Sequence, residues 1–362
     1  MREDKGANDA TEHSVGSEGA GRNNALKIAL GAAVSLVFLW LAFRGVNWHD
    51  AWHMVRHADP WLLVAALGSV LLTTLVRADR WRMMFWPRYR SLRLRQFASI
   101  FLIGQVINAV IPARAGEVAR ALLIGASERV SRALALWTAV LEKVLDAACL
   151  LAFLFGLSFV VPLPAWLQRS GWILSFGLGL VCIAVAVAVA CHARVAGWIE
   201  WASNRMRLLQ RIPLHRLLSS VIESLGLVRQ PRVFLGLTVW SVAAFIGAAM
   251  TNWLTARSLG LEISFTASLL LIAVLQVSAV VPIPTSPGRV GVFHYLVVIT
   301  LAIFDVPRDV ALSYGLVLHV IVYLPMIVGG PLCLWRESQD WRTLARAVKG
   351  ATRNPQDETA AT

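Results

Sequence analysis

Long apolar runs separated by short polar connections dominate the chain. The runs cover 26–43, 61–76, 96–111, 133–161, 172–191, 233–255, 265–281, 290–304 and 310–334. A helix that crosses a membrane needs roughly 17 to 25 such residues, so most of these runs predict transmembrane helices and a few are short for one. The stretch Pro112 to Gly125, PARAGEVARALLIG, interrupts the pattern by setting Arg114, Glu117 and Arg120 along one helical face between apolar runs. A charge at the centre of a membrane helix costs about 2.5 to 3.5 kcal/mol on insertion scales. Three together call for partners, water or a bound polar ligand. Pro112 and Gly116 break the helix there, and broken backbone at membrane depth is tolerated only where it is buried in protein or lines a cavity.

Charge in the connections predicts the topology. Arg44–Asp59 balances Arg44 and Arg56 against Asp50 and Asp59, whereas Arg77–Arg95 holds seven arginines against Asp79. Basic connections stay in the cytoplasm, so the second connection and the amino terminus are expected inside. If 96–111 crossed fully, the segment His192–Arg232, with seven arginines against Glu200 and Glu223, would fall outside. A hairpin over 96–125 that enters and leaves from the cytoplasm restores the rule. Its second arm, 116–125, is too short to span at ~1.5 Å per residue. Segment 192–232 mixes Trp198, Trp201, Ile212 and Leu217 with arginines, and reads as an amphipathic helix on the inner surface or as a solvated linker.

The second half echoes the first. Pro112, Gly116 and Val118 align in register with Pro284, Gly288 and Val290, and in the following helices Glu142 and Asp146 stand opposite His319 and Tyr323. The expected fold is an all-α polytopic membrane protein with about six full spans and two re-entrant helical hairpins, arranged as two inverted repeats. Pro112 forms the first hairpin; Pro284, Pro287, Gly288 and Gly291 form the second. Repeat one covers about 26–161 and repeat two about 172–335, so the membrane domain is 26–335. The tail 1–25 is expected to be disordered and cytoplasmic, and its five acidic residues are unlike a signal peptide. The tail 336–362 is expected in the cytoplasm as well.

Composition agrees. The chain is 57% hydrophobic and 15% charged, with a mean hydropathy of +0.63, whereas soluble domains are about 25% charged. The net charge of +13 rests on arginine and clusters beside apolar segments, which argues against nucleic acid as a partner. Cys149, Cys182, Cys191 and Cys333 lack CxxC spacing and read as small core residues. His49, His53 and His57 recur at helical spacing, each of the first two preceded by a tryptophan, Trp48 and Trp52, which suits an interfacial helix better than a metal site. GxxxxGK[ST], HExxH and GxSxG are absent, so ATP-driven transport and the usual hydrolase chemistry lack support. No cofactor and no metal are expected.

The sequence LEKVLD places Glu142, Lys143 and Asp146 near the middle of the helix at 133–161. In one reading Lys143 with Arg114 or Arg120 simply neutralises the carboxylates and pins the hairpin to that helix. In the other, the carboxylates titrate or exchange partners as the protein alternates its access. Arg114 and Arg120, near a helix break, suit a lipid phosphate, with Arg289 as the counterpart in the second hairpin. His294 and His319 lie within apolar runs, where packing residues are commoner than proton carriers.

Three blocks, PARAGEVARALLI at 112–124, LEKVLD at 141–146 and PTSPGRVGVFH at 284–294, resemble the flippase-like integral membrane family named for the transmembrane domain of lysylphosphatidylglycerol synthases. The resemblance covers roughly 26–335. It implies a bacterial inner-membrane protein that moves a polar-headed lipid between leaflets. Arg114, Gly116, Glu117 and Arg120 match its first block, Glu142 and Asp146 its charged helix, and Pro287, Gly288 and Gly291 its second hairpin. Lys143 stands where the family more often has Arg, Arg289 where a second Gly is common, and His294 where an acid is frequent. The soluble aminoacyl-transferase domain has no counterpart here, so lysyl transfer is not expected.

The expectation is a flippase, not ATP-driven in cis, for an anionic phospholipid or polyprenyl-phosphate-linked lipid. Its headgroup site would comprise Arg114, Gly116, Glu117, Arg120 and Arg289, and its gating or proton-linked set Glu142, Lys143, Asp146, His294 and His319. The partners are the lipid substrate and the bilayer, and a separately encoded lipid-synthesis enzyme is a further candidate. The alternatives are a membrane-embedded lipid-modifying transferase, which the absence of DxD and DDxxD disfavours, and an accessory subunit of a lipid or cell-envelope synthesis pathway.

Overall fold

A computed structural model describes residues 48–110, 115–128, 130–160, 230–280 and 289–336. Among them are α1 (Trp48–Arg56), α2 (Pro60–Met83), α3 (Leu94–Val110), α4 (Ala115–Ser127), α5 (Arg132–Ser158), α6 (Pro231–Ser258), α7 (Phe265–Val280), α8 (Val290–Leu301) and α9 (Arg308–Arg336), with 3-10 turns at Arg88–Ser91 and Ala302–Phe304. The runs expected at 26–43 and 172–191, the basic segment 192–229, both tails, and Pro112, Arg114, Pro284, Pro287 and Gly288 lie outside the described residues.

The helices start where the sequence supplies donors and acceptors for their ends. Asp59 accepts from the amides of Trp61 at 2.8 Å and Leu62 at 3.4 Å, with Pro60 as the first residue of α2. Ser131 caps α5 by accepting from Leu134 at 3.4 Å. The observed bounds follow the apolar runs closely, with one exception. Helix α2 continues past Val76 to Met83 and carries Arg77, Asp79, Arg80 and Arg82 with it. Nothing between Val76 and Pro87 breaks a helix, and arginine favours one. The connection expected from Arg77 therefore begins only after Met83.

Helices α2 and α6 cross antiparallel at the centre. Ser69 Oγ donates to the Gly247 carbonyl at 3.0 Å and receives a hydrogen bond from Thr251 Oγ1 at 3.1 Å, while Arg80 Nη1 donates to Ser241 Oγ at 3.0 Å. Gly247 permits the close approach, because a Cβ there would meet the Thr73 hydroxyl. Helix α3 packs on α2, α4 and α9; α7 packs on α6, α8 and α5; α4 lies on α5, and α8 on α9.

Helices α2, α6 and α9 are long and apolar enough to cross a membrane, and in the most apolar stretch of α2 only 17% of residues are buried. Leu71, Leu72 and Leu75 on α2, Leu235 and Val239 on α6, and Ile327, Val328 and Leu332 on α9 stay exposed. Apolar faces of that extent belong against lipid, and a helix satisfies its own backbone there. Helix α5, at 27 residues, is also long enough at ~1.5 Å per residue, but Glu142, Lys143 and Asp146 interrupt it.

Helices α3 and α4 form a hairpin held at its glycines. The Gly116 amide donates to Asn108 Oδ1 at 2.9 Å, and a Cβ on Gly116 would collide with the Gly104 carbonyl oxygen. Gly116→Ala is expected to destabilise the protein by about 1 to 3 kcal/mol, the usual range for overpacking. The check is a melting curve in detergent beside Gly68→Ala, where the added methyl meets nothing within 4 Å and no loss is expected.

Candidate functional site

The hairpin delivers charge to the neighbouring helices. Glu117 and Arg120, one turn apart on α4, both face α5. Arg120 Nη2 is ion-paired with Glu142 Oε2, and Lys143 Nζ lies 3.0 Å from Glu117 Oε1. From the other side Arg80 of α2 reaches the same carboxylate, with Nη2 3.4 Å from Glu142 Oε1 and Nη1 2.6 Å from Asp146 Oδ1. Glu142 is thus shared by two guanidiniums, and Arg80 bridges two carboxylates one turn apart.

This network is shielded from solvent. Arg80 is 1% exposed, Glu142 3% and Arg120 5%, so the charges interact in a medium far less polarisable than water. The Arg120 guanidinium lies 4.7 Å from the Trp81 ring centroid and 5.2 Å from that of Phe101, a cation–π arrangement strengthened by desolvation. Trp81 is itself fixed by donating to Thr138 Oγ1 at 3.0 Å. A second pair, Arg82 and Asp79 at 2.6 Å, closes the end of α2, where Arg82 also donates to the Leu92 carbonyl at 3.1 Å and stacks on Tyr89.

In the second half the corresponding places hold rings. His294 of α8 and His319 of α9 stack with centroids 5.2 Å apart, and His319 stacks on Tyr323 at 4.1 Å. His294 Nδ1 lies 2.7 Å from the Val290 carbonyl. Arg289 precedes α8 in a left-handed conformation, φ 52°, and Gly291 is buried in the first turn.

Between the halves lies a cavity of about 230 Å³, bounded by α2, α3, α6, α7, α8 and α9. Its polar lining includes Thr73, Arg77, Gln105, Asn252, Gln276 and Arg289. His53 and His57 of α1 stack at 4.1 Å beside a shallow depression over Leu259 and Gly260. Among the described residues no three His, Cys, Asp or Glu side chains converge as a metal site.

Of the residues expected to act together, Arg120, Glu142 and Asp146 meet in one network through Arg80, Glu117 and Lys143 form a separate pair between the same two helices, α4 and α5, and His294 stacks on His319. Arg289 lines the cavity between them. The expectation missed Arg77 and Arg80, having counted both among the arginines of a polar connection. Their signal was the uninterrupted helical sequence from Leu71 to Trp86, with the two arginines three residues apart.

Removing one partner of a buried ion pair leaves an uncompensated charge and costs about 3 to 5 kcal/mol. Glu142→Gln is expected to lose stability on that scale, and Arg80→Gln to be strongly destabilising, with the double variant Arg80→Gln/Glu142→Gln recovering part of the sum. Glu117→Gln and Lys143→Gln, whose pair is partly exposed, are expected to change stability by about 1 kcal/mol or less. Denaturant unfolding in detergent measures all five; equal losses at Glu117 and Glu142 would contradict the division.

Residues 28–330 match the family described as the lysylphosphatidylglycerol synthase TM region. The chain is also similar to the UPF0104 membrane protein MJ1595 of Methanocaldococcus jannaschii, with 22% identity over 312 residues that cover 82% of this chain and 91% of that protein. No solved structure matches. With the match running through α1 to α8 and most of α9, the chain belongs to the family of the lysylphosphatidylglycerol synthase TM region.

Proposed function

We propose that this protein moves a polar-headed lipid, an anionic phospholipid or a polyprenyl-phosphate-linked lipid, between the leaflets of a bacterial inner membrane, without hydrolysing ATP itself. The observation that carries the reading is the buried ion network of Arg80, Arg120, Glu142 and Asp146, which joins a helical hairpin to two long helices beside a polar cavity. Ionisable groups inside a membrane bundle mark substrate or ion pathways. The family's name is that of the membrane region of a lipid synthase, which fits a lipid as the cargo.

The architecture behind this reading is two inverted repeats with about six full spans and two re-entrant hairpins, and with both termini in the cytoplasm. The packing supports it: exchanging α2 with α6, α3 and α4 with α7 and α8, and α5 with α9 leaves the contacts among these eight helices unchanged, while α1, which packs on α9, has no counterpart. The antiparallel crossing of α2 and α6 is what an inverted repeat requires. Helix α4, with 13 residues, and α8, with 12, reach only ~20 Å at 1.5 Å per residue, against a hydrocarbon core of about 30 Å. In transporters of this plan the site lies at the midplane between the halves. Glu117 and Lys143, part-exposed and paired, are the groups free to exchange partners as the hairpin shifts.

The test is reconstitution of the purified protein in liposomes with labelled phospholipids and polyprenyl phosphates. Wild type is expected to exchange one lipid class between leaflets, and Glu117→Gln and Lys143→Gln to slow that exchange at least about tenfold, which corresponds to ~1.4 kcal/mol, while remaining folded. Chemical conversion of a lipid without movement would instead identify a membrane-embedded transferase. Full exchange by both variants would remove the pair from the mechanism.

A further inference from the structure

The charges beside the cavity do not balance. Lys143 is matched by Glu117, and Arg82 by Asp79. The remaining cluster has three cations, Arg77, Arg80 and Arg120, around two carboxylates, Glu142 and Asp146. Arg80 and Arg120 hold both carboxylates, so the surplus positive charge falls on Arg77. Its guanidinium forms no hydrogen bond or ion pair with the described residues, and it lines the cavity.

Other unused donors converge on the same space. Thr73, one turn before Arg77 on α2, has a buried hydroxyl without a hydrogen-bond partner. Gln105 of α3 and Gln276 of α7 line the cavity too, and among the described residues neither side-chain amide has a partner. Buried polar groups are normally paired, and an unpaired ion inside a membrane bundle is costlier still. The Thr73 hydroxyl is buried, and the half-buried Arg77, Gln105 and Gln276 face the same space, so four donors from three helices surround a place suited to an acceptor with negative charge.

Size narrows the acceptor. About 230 Å³ is below the roughly 300 to 1,000 Å³ of sites that enclose a drug-sized ligand, which suits a head group better than a whole lipid. The guanidinium fork of Arg77 matches two oxygens of one anion, and Arg289 adds positive charge to the same wall.

Resting on the translocation reading above, we propose that this cavity is the headgroup site and takes a singly charged phosphodiester, with Arg77 on the two non-ester oxygens and Thr73, Gln105 and Gln276 supplying further hydrogen bonds. Arg120, expected from sequence to hold the head group, is instead engaged by Glu142.

The experiment measures binding to the full-length protein in detergent, with phosphatidylglycerol, phosphatidylcholine and water-soluble glycerophosphoglycerol as probes. It compares wild type, Arg77→Gln and, as a control for general attraction, Arg88→Gln on the exposed turn after α2. Phosphatidylglycerol is expected to bind in preference to phosphatidylcholine, and Arg77→Gln to weaken it at least about tenfold, the loss of one charge-assisted contact, with Arg88→Gln unchanged. In lipid-free detergent Arg77→Gln is expected to melt no lower than wild type, because it removes an uncompensated charge.

Undiminished phosphatidylglycerol binding by Arg77→Gln, or a lower melting temperature, would overturn the assignment. Glycerophosphoglycerol binding as tightly as the lipid would identify a free anion, not a lipid, as the ligand. Leaflet exchange on the same variants separates the two readings. Arg77-dependent binding with no exchange by wild type leaves the site standing and removes translocation, whereas exchange unaffected by Arg77→Gln removes the site.

Discussion

Glu142 cannot be left alone in this structure. At the middle of a helix with lipid-facing neighbours its charge has to be met, and it is met from both sides, by Arg120 of the hairpin and Arg80 of α2. That double pairing fixes three elements against one another. Helix α4, only 13 residues long, is placed against α5 where Arg120 finds its carboxylate. Helix α2 is lengthened by the same demand: Arg80 belongs to the helix because its partners are on α5. A buried pair of this kind adds little net stability compared with apolar packing, and what it contributes is register.

The crossing of α2 and α6 complements the network. There the contact is made by small residues and hydroxyls, Ser69, Gly247 and Thr251, so the two backbones come close without a large side chain between them. The cavity lies directly beside this crossing, with Thr73 of α2 and Thr251 of α6 in its wall. Its walls are shared by both halves of the chain, while the ion network lies wholly in the first half. The second half meets it with the rings of His294, His319 and Tyr323, which carry polar atoms but bring no fixed anion to the cavity.

Much of this was legible in the sequence. Apolar run length located α3, α5, α6, α7 and α9 to within a few residues, because hydrophobic burial and lipid contact both require continuous apolar faces. The pairing of Arg120 with the LEKVLD helix followed from charge alone. What could not be read was the end of α2. The rule that places arginines in cytoplasmic connections counts residues by sequence neighbourhood, and Arg77 and Arg80 stand directly after an apolar run. Only the ion pairs of Arg80 and the place of Arg77 in the cavity wall show that they point inward. The cavity was equally hidden, since Thr73, Gln105 and Gln276 are scattered along the chain and unremarkable one at a time.

Helix α9 carries Pro325 and Pro331 in its interior. Each lacks an amide, so the carbonyls of Ile321 and Ile327 lose their usual helical donors, and each ring crowds the preceding turn. A rod with two rungs missing is least stiff between them, and kinks in helices gather at such places. Pro325 and Met326 also form part of the cavity wall. The wall is therefore built on the most compliant stretch of its helix, where the volume enclosed changes with bending at the least elastic cost.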